Sequence, residues 1–181
     1  MLILLGTIVS CKKEDLYTTS DVKINEFMAT NSGTVYDQNG EYDDWIELYN
    51  NSETSVDLSG YYLTDNHKKF TKWQFPSGTK IDGKGYLIIW ADNDLTQADL
   101  HANFKLSSEG EEVLLITPKL KIADYVVYGR QSLELSYSRI PNGTGPFSWQ
   151  EPTYDSENIQ SMPISTTVLT SHLNFSDDGD Q

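Results

Sequence analysis

Apolar positions along this chain recur in short bursts at two-residue spacing, and turn-forming clusters separate the bursts. Residues 44–49 set the pattern. Trp45, Glu47 and Tyr49 fall on one face and Ile46 and Leu48 on the other, the alternation a pleated strand imposes. Comparable bursts occupy residues 22–28, 56–58, 61–64, 73–75, 113–117, 122–128, 136–140 and 147–149. The run Tyr86-Leu87-Ile88-Ile89-Trp90-Ala91 is apolar on both faces and is expected at the centre of a sheet. Asn39-Gly40, residues 50–53, Pro76-Ser77-Gly78, Asp82-Gly83-Lys84-Gly85 and Pro141-Asn142-Gly143 mark turns. Residues 113–117 and 122–128 read as a hairpin around Pro118, and residues 92–99 as a polar loop with at most one helical turn. Helical periodicity, heptads and internal repeats are missing. The fold class is therefore all-β, a sandwich of about nine or ten short strands.

Within this pattern Trp45 and Trp90 are expected to anchor the core. Glu26 and Glu47 interrupt apolar strands, which is costly unless they are paired or face water. Their expected role is hydrogen bonding to loop amides, with a ligand or metal role as the alternative. Residues 159–181 lose the pattern and end in Ser176-Asp177-Asp178-Gly179-Asp180, so they read as a flexible acidic tail.

The chain has 181 residues, enough for one domain with tails. Its single cysteine, Cys11, excludes an internal disulfide, so packing must hold the sheets together. The formal net charge of −14 argues against nucleic-acid and anionic-lipid surfaces as partners. Lys68, Lys69 and Lys72 form the one dense basic cluster and read as a solvated rim.

Several segments taken in order resemble the lamin-tail domain, an immunoglobulin-like β-sandwich family. They are Val22-Lys23-Ile24-Asn25-Glu26-Phe27, Asp44-Trp45-Ile46-Glu47-Leu48-Tyr49-Asn50 and Val56-Asp57-Leu58-Ser59-Gly60-Tyr61-Tyr62-Leu63. Phe75-Pro76-Ser77-Gly78-Thr79, residues 85–90, residues 103–107 and residues 152–158 continue the series. The resemblance covers residues 22–158 and implies the fold, but transfers no catalytic residue.

The N-terminus carries an address. Residues 2–9, LILLGTIV, are too short to span a bilayer and fit the apolar region of a signal peptide. Only Met1 precedes them, where signal peptides carry Lys or Arg. Ile8-Val9-Ser10-Cys11 resembles the lipobox of bacterial lipoproteins. This implies a signal peptide over 1–10, lipid on Cys11 and a tether over 11–21. Lys12-Lys13-Glu14-Asp15 is similar to export signals of surface lipoproteins, which implies an outer-membrane lipoprotein exposed at the cell surface.

Constellations for catalysis are weak. His67 and His101 fall in loops without a Gly-x-Ser-x-Gly elbow, and His172 falls in the tail. No zinc-ligand cluster is visible. Oxygen donors crowd two turns, Asp37, Asn39, Glu41 and Asp43 in one and Asp92, Asn93 and Asp94 in the other. These are calcium candidates, although neither turn has EF-hand spacing. Tyr61 and Tyr62 are candidates for stacking on sugar rings, with alternation placing one inward and one outward.

The expected function is a non-catalytic, lipid-anchored surface module for adhesion, scaffolding or ligand capture. Its membrane contact runs through the lipid, its partner is a protein or glycan, and no cofactor is expected beyond calcium at the acidic turns. The alternative is an accessory glycan- or calcium-binding module serving a separate surface enzyme.

Overall fold

The turn clusters cut the chain into eleven strands, and a computed structural model describes residues 16–161. The expected signal peptide, Cys11 and most of the acidic tail lie outside the described residues. The strands are β1 (Val22–Met28), β2 (Trp45–Asn50), β3 (Val56–Asp57), β4 (Tyr62–Thr64), β5 (Trp73–Gln74), β6 (Lys80–Ile81), β7 (Tyr86–Trp90), β8 (Gly110–Ile116), β9 (Ile122–Gly129), β10 (Ser136–Arg139) and β11 (Phe147–Gln150). No helix of four or more residues occurs among the described residues, and residues 92–99 form turns only.

All named strand pairs are antiparallel. One sheet has the order β11-β10-β1-β2-β7, the other β5-β4-β8-β9, and β3 and β6 form a small third sheet. The two larger sheets pack face to face. Ile24, Phe27, Ile46, Leu48 and Ile89 from one meet Leu63, Val113, Leu115 and Val126 from the other in a fully enclosed core. The hairpin around Pro118 is β8–β9. This is the expected immunoglobulin-like sandwich, with eleven strands instead of nine or ten.

Three placements differ from the sequence reading. First, β7 is the last strand of its sheet rather than a central one. Both its faces are nonetheless covered: Ile89 enters the main core, and Ile88 and Trp90 enter a second cluster on the outer face. Its open edge is shielded where the Trp90 amide donates to Leu100 O (2.8 Å) and the Ala102 amide donates to Trp90 O (2.7 Å), a way of blunting an exposed ladder. Second, Trp45 and Trp90 are buried anchors as expected, but of a core outside the space between the sheets. They build that second cluster with Met28, beneath Tyr154. Third, the chain meets the domain before residue 22: Tyr17 bridges Ile122, and the Thr18 amide donates to Ile122 O at 3.0 Å. The stretch expected to be tether therefore touches β9 at Tyr17 and Thr18.

Arg139 ties the sheets at one corner. Its guanidinium donates to Ile24 O (2.9 Å), Gly145 O (3.2 Å) and Asp124 Oδ2 (3.1 Å), and stacks over Phe147. Asp124 in turn accepts the Ile24 amide at 2.9 Å. The charge is thus matched within a fork geometry that lysine does not offer.

Candidate functional site

Two polar assemblies hold Glu26, Glu47, His101 and the acidic turns. The first lies on the outer face of the five-stranded sheet. A register shift between Ile24 and Glu26 makes a bulge in β1. The bulge turns both Asn25 and Glu26 outward while Ile24 and Phe27 stay in the core. Glu26 and Glu47 face each other across the β1–β2 ladder, both fully buried. Residues 151–158 close over them. Glu26 accepts the Thr153 amide (3.0 Å) and the Thr153 hydroxyl (2.6 Å). Glu47 accepts Asn25 Nδ2 (2.8 Å) and the Asp155 amide (2.7 Å). All four carboxylate oxygens are engaged.

Asn25 and Asn158 complete the seal. Asn25 Oδ1 accepts the Gly143 amide at 2.8 Å, and Asn158 Nδ2 donates to Arg139 O at 3.0 Å. Gly143 has φ 63°, a left-handed conformation that glycine favours, and a Cβ there would displace the Asn51 side-chain amide. Burial pushes the Glu26 carboxyl above its ordinary range and Glu47 up to about 8. In Glu47, loss of water outweighs the two donors that favour the charged form. This pair has the composition of an acid–base pair, but it is enclosed and committed to backbone amides, as the sequence reading expects of Glu26 and Glu47.

The second assembly joins the β1–β2 loop to the loop after β7. The two calcium-candidate turns are not separate neighbourhoods. Gln97 Nε2 donates to Glu41 Oε2 (2.6 Å), Asn39 donates to Gln97, and Gln38 Nε2 donates to Ala98 O (3.1 Å). Within the first turn, carboxylate oxygens of Asp37, Glu41 and Asp43 lie within 4.8 Å of one another. Burial, followed by Asp92, raises the Asp43 carboxyl above its usual range, and Lys105 offsets part of this.

The remaining candidates are occupied. Asp92 accepts His101 Nδ1 (2.6 Å) and the Asp94 amide (2.9 Å). Asp94 accepts the Thr96 amide (2.8 Å) and hydroxyl (2.6 Å), which hold its carboxyl below the usual range. The Asn39 amide donates to Asp37 Oδ1, so Asn39 serves as a turn residue.

His101 is buried, a point its loop position in the sequence did not reveal. Its other nitrogen, Nε2, lies 3.0 Å from Gln38 Nε2, so the tautomer with the proton on Nδ1 satisfies both neighbours. A His–Asp pair is present, but a glutamine amide stands where a nucleophile would. His67 is exposed and contacts Glu112.

Tyr61 and Tyr62 are both half-buried. Tyr61 packs on the main core, and Tyr62 packs on an outer cluster of Leu114, Ile116 and Ile122. The freely exposed aromatics lie elsewhere. Tyr17 and Tyr125 sit 5.9 Å apart on the face of β9, and Tyr36 and Tyr42 sit 6.1 Å apart on the acidic loop. Only the alternation in β9 could have marked Tyr125 as outward-facing.

Among known proteins, the family model described as Lamin Tail Domain matches residues 16–130. The match ends before β10 and β11, which complete the five-stranded sheet. No curated protein matches the chain.

Proposed function

We propose, for a chain that belongs to the lamin tail domain family, a non-catalytic role as a binding module held at a bacterial envelope by lipid on Cys11. One observation carries the non-catalytic part. The groups best suited to acid–base or nucleophilic work, Glu26, Glu47, Asp44 and the His101–Asp92 pair, are each held by intramolecular partners. The sandwich supplies rigidity, and its loops carry recognition. The joined loops after β1 and β7 expose Tyr36 (65%) and Leu95 (62%) beside carboxylates, a mixture suited to a polar partner with an apolar contact point. The lipid supplies lasting attachment when two or more chains are present.

The test is fractionation of a bacterial host fed labelled fatty acid and expressing the full chain or its Cys11→Ser variant. The wild-type chain is expected to carry label and to sediment with membranes. The variant is expected to be unlabelled and soluble. Equal partitioning of the two overturns the anchor.

A glycan-binding accessory module is the second reading, favoured by the exposed Tyr17–Tyr125 pair on β9, since flat rings stack on sugars. A melting-temperature rise with one glycan class selects it.

A further inference from the structure

The turn at residues 37–43 holds a carboxylate whose surroundings are incomplete. Asp37 is only 3% exposed. Its Oδ1 accepts two backbone amides, from Asn39 (2.8 Å) and Glu41 (2.8 Å). Its Oδ2 is buried and has no hydrogen-bond partner. A buried carboxylate oxygen without a partner is costly and calls for a cation or donor. No residue supplies one: among the described residues, none of Asp37, Glu41 and Asp43 takes part in an ion pair. Instead the two further carboxylates converge on Asp37, each offering an oxygen within 4.8 Å of the others.

The backbone builds this convergence. Gly40, at φ 82°, reverses the chain, and its amide donates to Asp37 O at 3.1 Å. The Asp37 amide donates to Glu41 O at 3.0 Å. The turn is thus closed by its own backbone while the three side chains gather on one side.

We propose that Asp37, Glu41 and Asp43 form a calcium site that fixes the β1–β2 loop. An all-oxygen donor set of carboxylates suits a hard divalent cation, and a loop with water-accessible positions beside Glu41 suits the irregular, six- to eight-fold shell of calcium better than the strict octahedron of magnesium. The cation would also offset the mutual repulsion that Asp92 adds to. The site depends neither on the lipid nor on a macromolecular partner, so its test stands apart from that of the envelope role.

The experiment uses the full chain carrying Cys11→Ser, stripped with chelator and titrated with calcium chloride in a calorimeter and in thermal melts. One calcium per chain is expected, with Kd about 10⁻⁴ to 10⁻³ M, the range of extracellular modules. Saturating calcium is expected to raise the melting temperature by about 3–8 °C. Asp37→Asn, which keeps an acceptor for the two amides, and Glu41→Gln, at an exposed position, should each weaken binding at least about tenfold. Asp94→Asn, whose carboxylate is committed to Thr96, should leave it unchanged. If Asp37→Asn fails to fold, Glu41→Gln carries the comparison. Absence of heat and of a melting shift up to about 10 mM calcium, an unaltered response in Glu41→Gln, or a larger shift with magnesium would overturn the assignment.

Discussion

A chain ended after Gln150 is expected to melt about 10–20 °C below one ended after Ser161. The difference between them is the segment that closes the outer face of the five-stranded sheet. Its removal uncovers Met28, Trp45 and Trp90, now almost fully enclosed beneath Tyr154. Exposing large side chains of this kind costs about 1.5–3 kcal/mol each. It also strips Glu26 of the Thr153 amide and hydroxyl, and Glu47 of the Asp155 amide. Rehydration of the two carboxylates returns part of this. The net loss expected is about 5 kcal/mol, a large share of the stability of an ordinary domain. Differential scanning calorimetry of the two truncations measures it. Equal melting temperatures would mean that residues 151–158 lie on the sheet without holding it.

The reason this segment matters was half legible in the sequence. Alternation in residues 44–49 sorted Ile46 and Leu48 from Trp45, Glu47 and Tyr49 correctly, because period two is a property of any strand. It could not say that the second face is buried as well. That depends on a segment about a hundred residues away, which has no periodicity because it is not a strand. The same blindness misplaced β7. A run apolar on both faces reads as central, and here it is an edge strand whose outer face is roofed by Tyr154 and whose ladder is shielded by residues 100–102.

The acidic turns show the limit for the site. Spacing alone placed Asp37, Asn39, Glu41 and Asp43 around one turn, where the three carboxylates do converge. It could not show that Asp92 is committed to His101, a pairing that forms only when the loop after β7 folds back; Asp94 is taken by Thr96, two residues on. Exposed aromatics were misjudged for a related reason: Tyr61, just before β4, packs on the main core and Tyr62, in β4, on the outer cluster, whereas Tyr17 lies in a segment without strand patterning.

Stability is expected to fall as pH rises from about 5 to about 8, the reverse of the usual trend for carboxylates. Glu47 has an ordinary value of 4.5 and is pushed up to about 8 by burial. Its folded form therefore holds a proton that the unfolded chain has released. The contribution is fully present below 4.5 and is lost as pH rises through about 8. Glu26, raised by burial, and Asp44, pushed up to about 7 by burial, have the same sign. Asp94 and Glu134, held low by hydroxyl and amide donors, have the opposite sign, but their contribution fades only in more acidic solution. For Glu47 alone the loss between pH 5 and pH 8 is about 3 kcal/mol. Glu47→Gln, which does not titrate, should flatten the decline substantially and leave the part that Asp44 and Glu26 contribute, whatever its effect on absolute stability. Urea unfolding of both proteins at several pH values measures the slope, and an undiminished decline in Glu47→Gln would assign it to other groups.

The central claim is that Glu26 and Glu47 are spent on holding the chain together rather than kept for chemistry. Amide hydrogen exchange at Thr153 and Asp155 tests it most directly, because these two amides donate to the carboxylates and belong to no strand. The expected result is exchange as slow as that of β1 and β2, since the amides are released only when the outer face opens. Exchange at the rate of an open loop would contradict the claim, and would mean that the two buried carboxylates are free for another task.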